Sequence, residues 1–175
     1  CNDLDRKDQE SLKEECKYVI FAKNVRGYEK LIKIYSQASK DGFYYRPRTD
    51  FKNLDKLWDN EDLRLSVPFY DSFIYKNRLC GSSCSLPPKN YDLDFFVENN
   101  SLPFDNLLET RVKEASGNIV PTQSIYYKDK SHFKSYLTFR AIDKRTTLSK
   151  PNLEHMGSDE FCFESWKEKN EKKAS

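Results

Sequence analysis

At 175 residues the chain fits one domain and is long enough to bury a core of its own. One third of it is charged, yet 14% aromatic content excludes a disordered segment and, being mostly Tyr and Phe, predicts a core of large rings. The 30 basic and 28 acidic residues leave +2, which excludes a global pull toward nucleic acid and confines any such attraction to a local patch.

Residues 2–16 are dense in charge with almost no apolar stripe, so they read as a solvated leading segment over 1–16. Residues 17–22 form a short apolar, β-branched and aromatic run, the pattern of a buried strand. A helix follows over 24–39. Asn24 is placed to cap it, Tyr28, Leu31, Ile32, Tyr35 and Ala38 make one apolar stripe, and Gly42 is placed for a left-handed closing turn. Residues 50–58 predict a second, short helix capped by Asp50, and 63–67 alternate as a strand that Pro68 ends. Residues 69–73 open a short helix, and 77–90 is the most loop-like stretch.

Tyr91, Leu93, Phe95 and Val97 alternate as a third strand over 91–98. The clearest later helix is 102–116, with Phe104, Leu107, Leu108, Val112 and Ala115 as its stripe and Pro103 in the first turn. A fourth strand runs from Ile119 to about Tyr127. Asp129 then caps a helix whose buried face is Phe133, Tyr136, Leu137 and Ala141. Residues 146–159 are polar, Phe161 to Phe163 is a last apolar element, and 167–175 reads as a fraying charged tail. Strands alternating with helices predict an α/β fold of right-handed βαβ units around mainly parallel strands.

The odd cysteine count of five, the lack of any apolar run near 18 residues and the lack of a leader pattern predict free thiols in a cytoplasmic setting, with no membrane partner. Cys80 and Cys84 are spaced C-x3-C in a loop, but no further zinc ligands stand near them, so a pair of loop thiols is the simpler reading. Cys162, between two phenylalanines, suits a small buried hydrophobe. His132 and His155 lack partners at metal spacing. Arg46 and Arg48 beside Tyr44 and Tyr45 combine bidentate cations with stacking surface, a candidate contact for nucleic acid or a protein partner, or else arginines packed along rings. Asp92, Asp94 and Glu98 read as the solvated side of a strand, or as a weaker candidate site that could hold a hard cation or supply acid and base.

The order of several motifs resembles a known family. Ala22 to Asn24, Gly27, Tyr28, Leu31, Ser36 and the run from Gly42 to Arg48 are similar to the middle of the PHP (polymerase and histidinol phosphatase) domain at the amino end of the bacterial C-family DNA polymerase III alpha subunit. The run from Leu93 to Glu98, the helix after it and the run from Pro121 to Tyr127 follow in the family's order, so the resemblance covers roughly 17–166 as a PHP-like segment, leaving 1–16 and 167–175 as flanks. Pro68 to Phe73 and Pro151 to Met156 are similar to phage versions. The resemblance implies part of a distorted (β/α) barrel cut from something longer, in keeping with a chain that begins at Cys1.

Active relatives bind divalent metals through converging His and Asp residues and hydrolyse phosphoesters. At the matching places this sequence carries Lys17, Ser124 and Tyr126, so the resemblance implies a lost metal site and no catalysis by this segment. The expected role is structural, inside a DNA-directed DNA polymerase (a nucleotidyltransferase using Mg2+ in a domain elsewhere). Expected partners are the remaining polymerase domains, a proofreading exonuclease, and DNA through the parent protein. The setting would be the cytoplasm of a bacterial or phage-infected cell. Two other readings stay open: a Zn- or Mn-dependent phosphoesterase or 3′–5′ exonuclease with atypical ligands, and a stand-alone interaction module.

Overall fold

The computed structural model describes residues 1–115, 117–143, 145 and 157–174. The 151–156 motif and His155 lie outside the described residues. Two compact units emerge, one of residues 1–96 with 111–120, the other of 97–110 with 121–175.

The first unit runs β1 (Val19–Ala22), α1 (Val25–Lys40), α2 (Phe51–Leu54), β2 (Leu63–Val67) and α3 (Phe73–Leu79). β3 (Leu93–Val97), α4 (Asp105–Lys113) and β4 (Asn118–Pro121) carry residues of both units, and one four-stranded sheet has the order β1-β2-β3-β4. The second unit adds a 3-10 turn (Lys130–His132), α5 (Phe133–Asp143) and α6 (Phe163–Ala174).

The α/β class is as expected, and the sheet does not close into a barrel. Nor is it all parallel: β1 pairs antiparallel with β2 (Ile20 opposite Leu65), while β2 pairs parallel with β3 (Leu65 opposite Leu93). The expected βαβ crossover from β1 fails because 41–62 is long enough to make a second pass along the sheet. It delivers β2 beside the end of β1, where the Lys23 amide donates to the Asp62 carbonyl at 2.8 Å.

α1 begins where the sequence marks it. The Asn24 side chain accepts from the Gly27 amide at 2.8 Å. Its buried face differs from the expected stripe: Gly27, Ile34 and Ala38 point inward, with Leu31 partly covered, while Tyr28, Ile32 and Tyr35 are exposed. Gly27 decides this. A Cβ there would sit 2.1 Å from the Asp62 carbonyl oxygen, so the helix meets the β2 approach along its one bare position. Gly42 is not left-handed either. Asp41 ends the helix in ordinary helical geometry, and Gly42 is required because a Cβ would lie 2.0 Å from the Arg48 carbonyl oxygen.

Ile34, Leu54, Leu63, Leu65 and Tyr91 form the core on one face of the sheet, with Tyr18, Ile20, Phe51 and Trp58 packed around them. The rings interlock: Trp58 stacks on Tyr91 at 4.2 Å and Tyr18 meets Phe51 edge-on at 5.4 Å. Burying one such aliphatic side chain stabilises by about 1.5–3 kcal/mol, and Val67, Phe69, Phe73, Ile74 and Phe95 add further buried apolar surface to the unit.

Both charged flanks depart from expectation. The leading segment is bound to the domain: Leu4 is buried, its amide donates to Asp50, and the Cys1 amine donates to the Thr49 carbonyl at 2.9 Å. The tail is helix α6, anchored by Lys169 to Glu160 at 3.1 Å. The fourth strand stops at Pro121, beyond which Tyr127 makes a lone parallel bridge with Cys162. α2 and α3 start at Asp50 and Ser72, whose side chains accept first-turn amides.

Candidate functional site

The sheet face opposite the core mixes Val19 and Phe21 of β1 with Arg64, Ser66 and Asp94. Arg64 and Asp94 stand on it in neighbouring strands, and the guanidinium grips the carboxylate through two nitrogens, the Nη2 contact to Oδ1 being 2.6 Å. The Asn118 side chain donates to the same carboxylate at 2.8 Å. Arg64 therefore holds the Asp94 carboxyl below the usual carboxylate range, against the opposing effect of burial. Asp92 is exposed, with Lys23 at 3.8 Å. A carboxylate so occupied offers little to a cation.

Glu98 lies in the second unit and has a different setting. It is buried and accepts from the Ser124 amide at 2.9 Å, the Ser124 hydroxyl at 2.7 Å and the Asn100 side chain at 2.9 Å. Gln123 in turn donates to Asn100 and to the Glu160 carbonyl at 3.0 Å, and Lys169 reaches the Gln123 oxygen at 3.3 Å. Asp105 closes the same loop by accepting the Asn100 and Leu102 amides. Ser124 is thus bound to a carboxylate with no imidazole between them, a holding contact and not a proton relay.

Tyr126 stacks flat on Tyr136 at 5.6 Å and lies against Phe161, with its ring half exposed. Lys17 belongs to the first unit. Its ammonium meets Asp71 at 2.6 Å and is largely solvent-exposed. A divalent cation needs several oxygen or imidazole donors at once, and these three side chains are an ammonium, a hydroxyl already spent on Glu98 and a stacked phenol. None of these three side chains is a metal ligand of the kinds such clusters use. Among the described residues no three His, Cys, Asp or Glu side chains converge as metal ligands would.

The four-residue candidate contact splits in two. Arg48 is turned inward: its side chain is 2% exposed, meets Glu15 at 3.1 Å, donates to the Gly42 and Arg6 carbonyls and lies 5.1 Å from the Tyr44 ring centre. A partner cannot reach it there. Arg46 shares Glu15 through its Nε at 2.8 Å but stays mostly exposed, as does Tyr45, which adopts the left-handed backbone region at φ 58°. Glu15 is the residue that sequence reasoning missed. It lies more than thirty positions away from both arginines in a segment read as solvated, and no local pattern marks it.

Both cysteines of the C-x3-C run are free thiols, Cys80 exposed and Cys84 buried. Asn77 fixes the loop by bonding both backbone groups of Cys84, and burial pushes that thiol up to about 12. His132 sits in the exposed 3-10 turn, 3.7 Å from Asp129.

Among the described residues no helix is long and apolar enough to cross a membrane. No protein-family profile matches the chain. Over 158 residues, 81% of its length, the chain is 27% identical to the DNA polymerase III subunit alpha of Thermus aquaticus, and it spans 12% of that protein. The chain is similar, over most of its length, to one segment of a much longer polymerase subunit.

Proposed function

We propose that the chain is a PHP-type segment of a DNA polymerase III alpha subunit, of phage type, in which internal contacts have replaced the metal site. The parent protein carries out DNA-directed DNA synthesis with Mg2+ in another domain. This segment catalyses nothing: it stabilises the polymerase and presents a docking surface to neighbouring domains and to a proofreading exonuclease, in the cytoplasm. The observation that carries the reading is the Ser124 hydroxyl bonded to Glu98 at 2.7 Å, which spends a buried carboxylate of the strand end on the protein itself. The 27% match to a polymerase subunit supports the parentage.

Metal content and hydrolysis test it together. The purified chain, dialysed against Mn2+ or Zn2+, is expected to hold far less than one ion per molecule and to leave nitrophenyl phosphate and a 3′-labelled oligonucleotide intact. Stoichiometric metal with activity lost on Glu98→Gln or Asp94→Asn would sink the scaffold reading in favour of a phosphoesterase with atypical ligands.

A further inference from the structure

α1 is apolar on two faces and the domain covers one of them. Gly27, Leu31, Ile34 and Ala38 lie toward the sheet. Beside them Val25, Tyr28, Ile32 and Tyr35 are 76%, 61%, 51% and 68% exposed. Their spacing of three, four and three is the seam by which one helix packs on another, and it runs nearly the length of the helix. At about 100° per residue the two faces together span roughly half of the helix circumference, twice what packing on a sheet requires. Single exposed apolar side chains are ordinary, but four in register on one helix are not.

The border of this seam carries a sign. Along its free side lie Arg26, Lys33 and Lys40 against a single carboxylate, Glu29. Arg26 is shared with Asp62, while Lys33 and Lys40 form no ion pair among the described residues. A second copy of the chain docking on the same seam would bring this positive border against itself, which like-charge repulsion opposes. Alternating aliphatic and aromatic positions also suit interlocking helix side chains better than a run of stacked bases, which asks for aromatics and cations alone.

We infer that the outer face of α1, from Val25 to Tyr35, docks an amphipathic helix whose apolar seam is edged with carboxylates. The inference deepens the scaffold reading by naming its surface and rests on that reading only for the idea that a partner exists. Metal content decides the scaffold question separately, so the two can fail apart.

The test uses the full 175-residue chain and two fluorescein-labelled, end-blocked helical peptides of three heptads, both with Leu at the seam, one flanked by Glu and one by Lys. Fluorescence anisotropy is expected to show the Glu peptide binding at least tenfold more tightly, with the gap closing in half-molar salt as screening removes the charge term. Ile32→Glu should abolish binding with an unchanged circular dichroism spectrum. The pair Lys33→Glu and Lys40→Glu, both on the outer surface, should reverse the preference and keeps the test decisive if Ile32→Glu fails to fold. Equal or absent binding of the two peptides would overturn the inference. So would a dimer by sedimentation that Ile32→Glu dissolves, or tighter binding of an oligothymidylate than of either peptide.

Discussion

In the first unit three buried acids, Glu15, Asp62 and Asp94, face cations (Arg48 and Arg46, Lys30 and Arg26, and Arg64), while a fourth, Asp50, takes neutral donors as a helix cap. In the second, Glu98 is equally sheltered but takes its bonds from an amide, a hydroxyl and a carboxamide, none of them charged. The difference follows from what each acid joins. Glu15, Asp62 and Asp94 tie together segments about thirty or more residues apart, where a strong charge-assisted contact offsets the ordering of distant chain. Glu98 closes loops around one strand end, where short neutral donors suffice and no second charge has to be desolvated.

Breaking the first kind of contact should cost most. Arg46→Ala together with Arg48→Ala strands Glu15 in a buried position, and urea unfolding is expected to show a loss of about 3–5 kcal/mol, with the leading segment newly open to protease. Unchanged stability would mean that Glu15 finds water and that the first unit's acids are not so different from Glu98.

Ser124→Ala should follow, at about 1–3 kcal/mol, because Glu98 loses one of its three donors. The sharper comparison is between two Glu→Gln changes. Glu98→Gln leaves an oxygen for the same neutral donors and should cost less than about 1 kcal/mol. Glu15→Gln leaves two arginines facing a neutral group and should cost clearly more. Equal losses would erase the distinction between the units.

Acid titration reads the Arg64 contact. The folded Asp94 carboxyl is held below its usual value, chiefly by the Arg64 bond, so the unfolded state binds the proton more readily. Its contribution is therefore complete above the ordinary carboxylate value of about 4 and is lost as pH falls below it. Asp94→Asn should flatten that part of the stability curve, and an acid limb unchanged by the substitution would argue that Arg64 leaves the carboxylate in solution. The smallest effect belongs to Lys17→Ala, whose exposed pairing with Asp71 predicts a change within about 0.5 kcal/mol.

Much of this architecture was legible where the signal is local. Asn24, Asp50 and the alternation over 63–67 do what their neighbours in sequence demand, because caps and strand periodicity are decided within a few residues. What stayed hidden depends on distant partners. The stripe of α1 could be drawn on either side of a wide apolar half, and only the approach of Asp62 to Gly27 selects the buried one. Similarly, Arg48 beside two tyrosines looks like an open hand until Glu15 closes on it from the leading segment. The helical tail was misread because Lys and Glu in a polar run are good helix formers once Lys169 and Glu164 find anchors. The candidate site fared likewise: Ser124 was flagged, but Glu98 as its partner lies 26 residues back.

The bare position at Gly27 has a kinetic corollary. With the Asp62 carbonyl lodged where a methyl would otherwise sit, α1 lies closer to the approach to β2 than a side chain at that position would allow. A helix docking on its outer side, as inferred above, would therefore meet a surface already seated against the sheet. Gly27→Ala would lift the helix from its seat, and an arriving chain would then have to wait for that surface to swing into place.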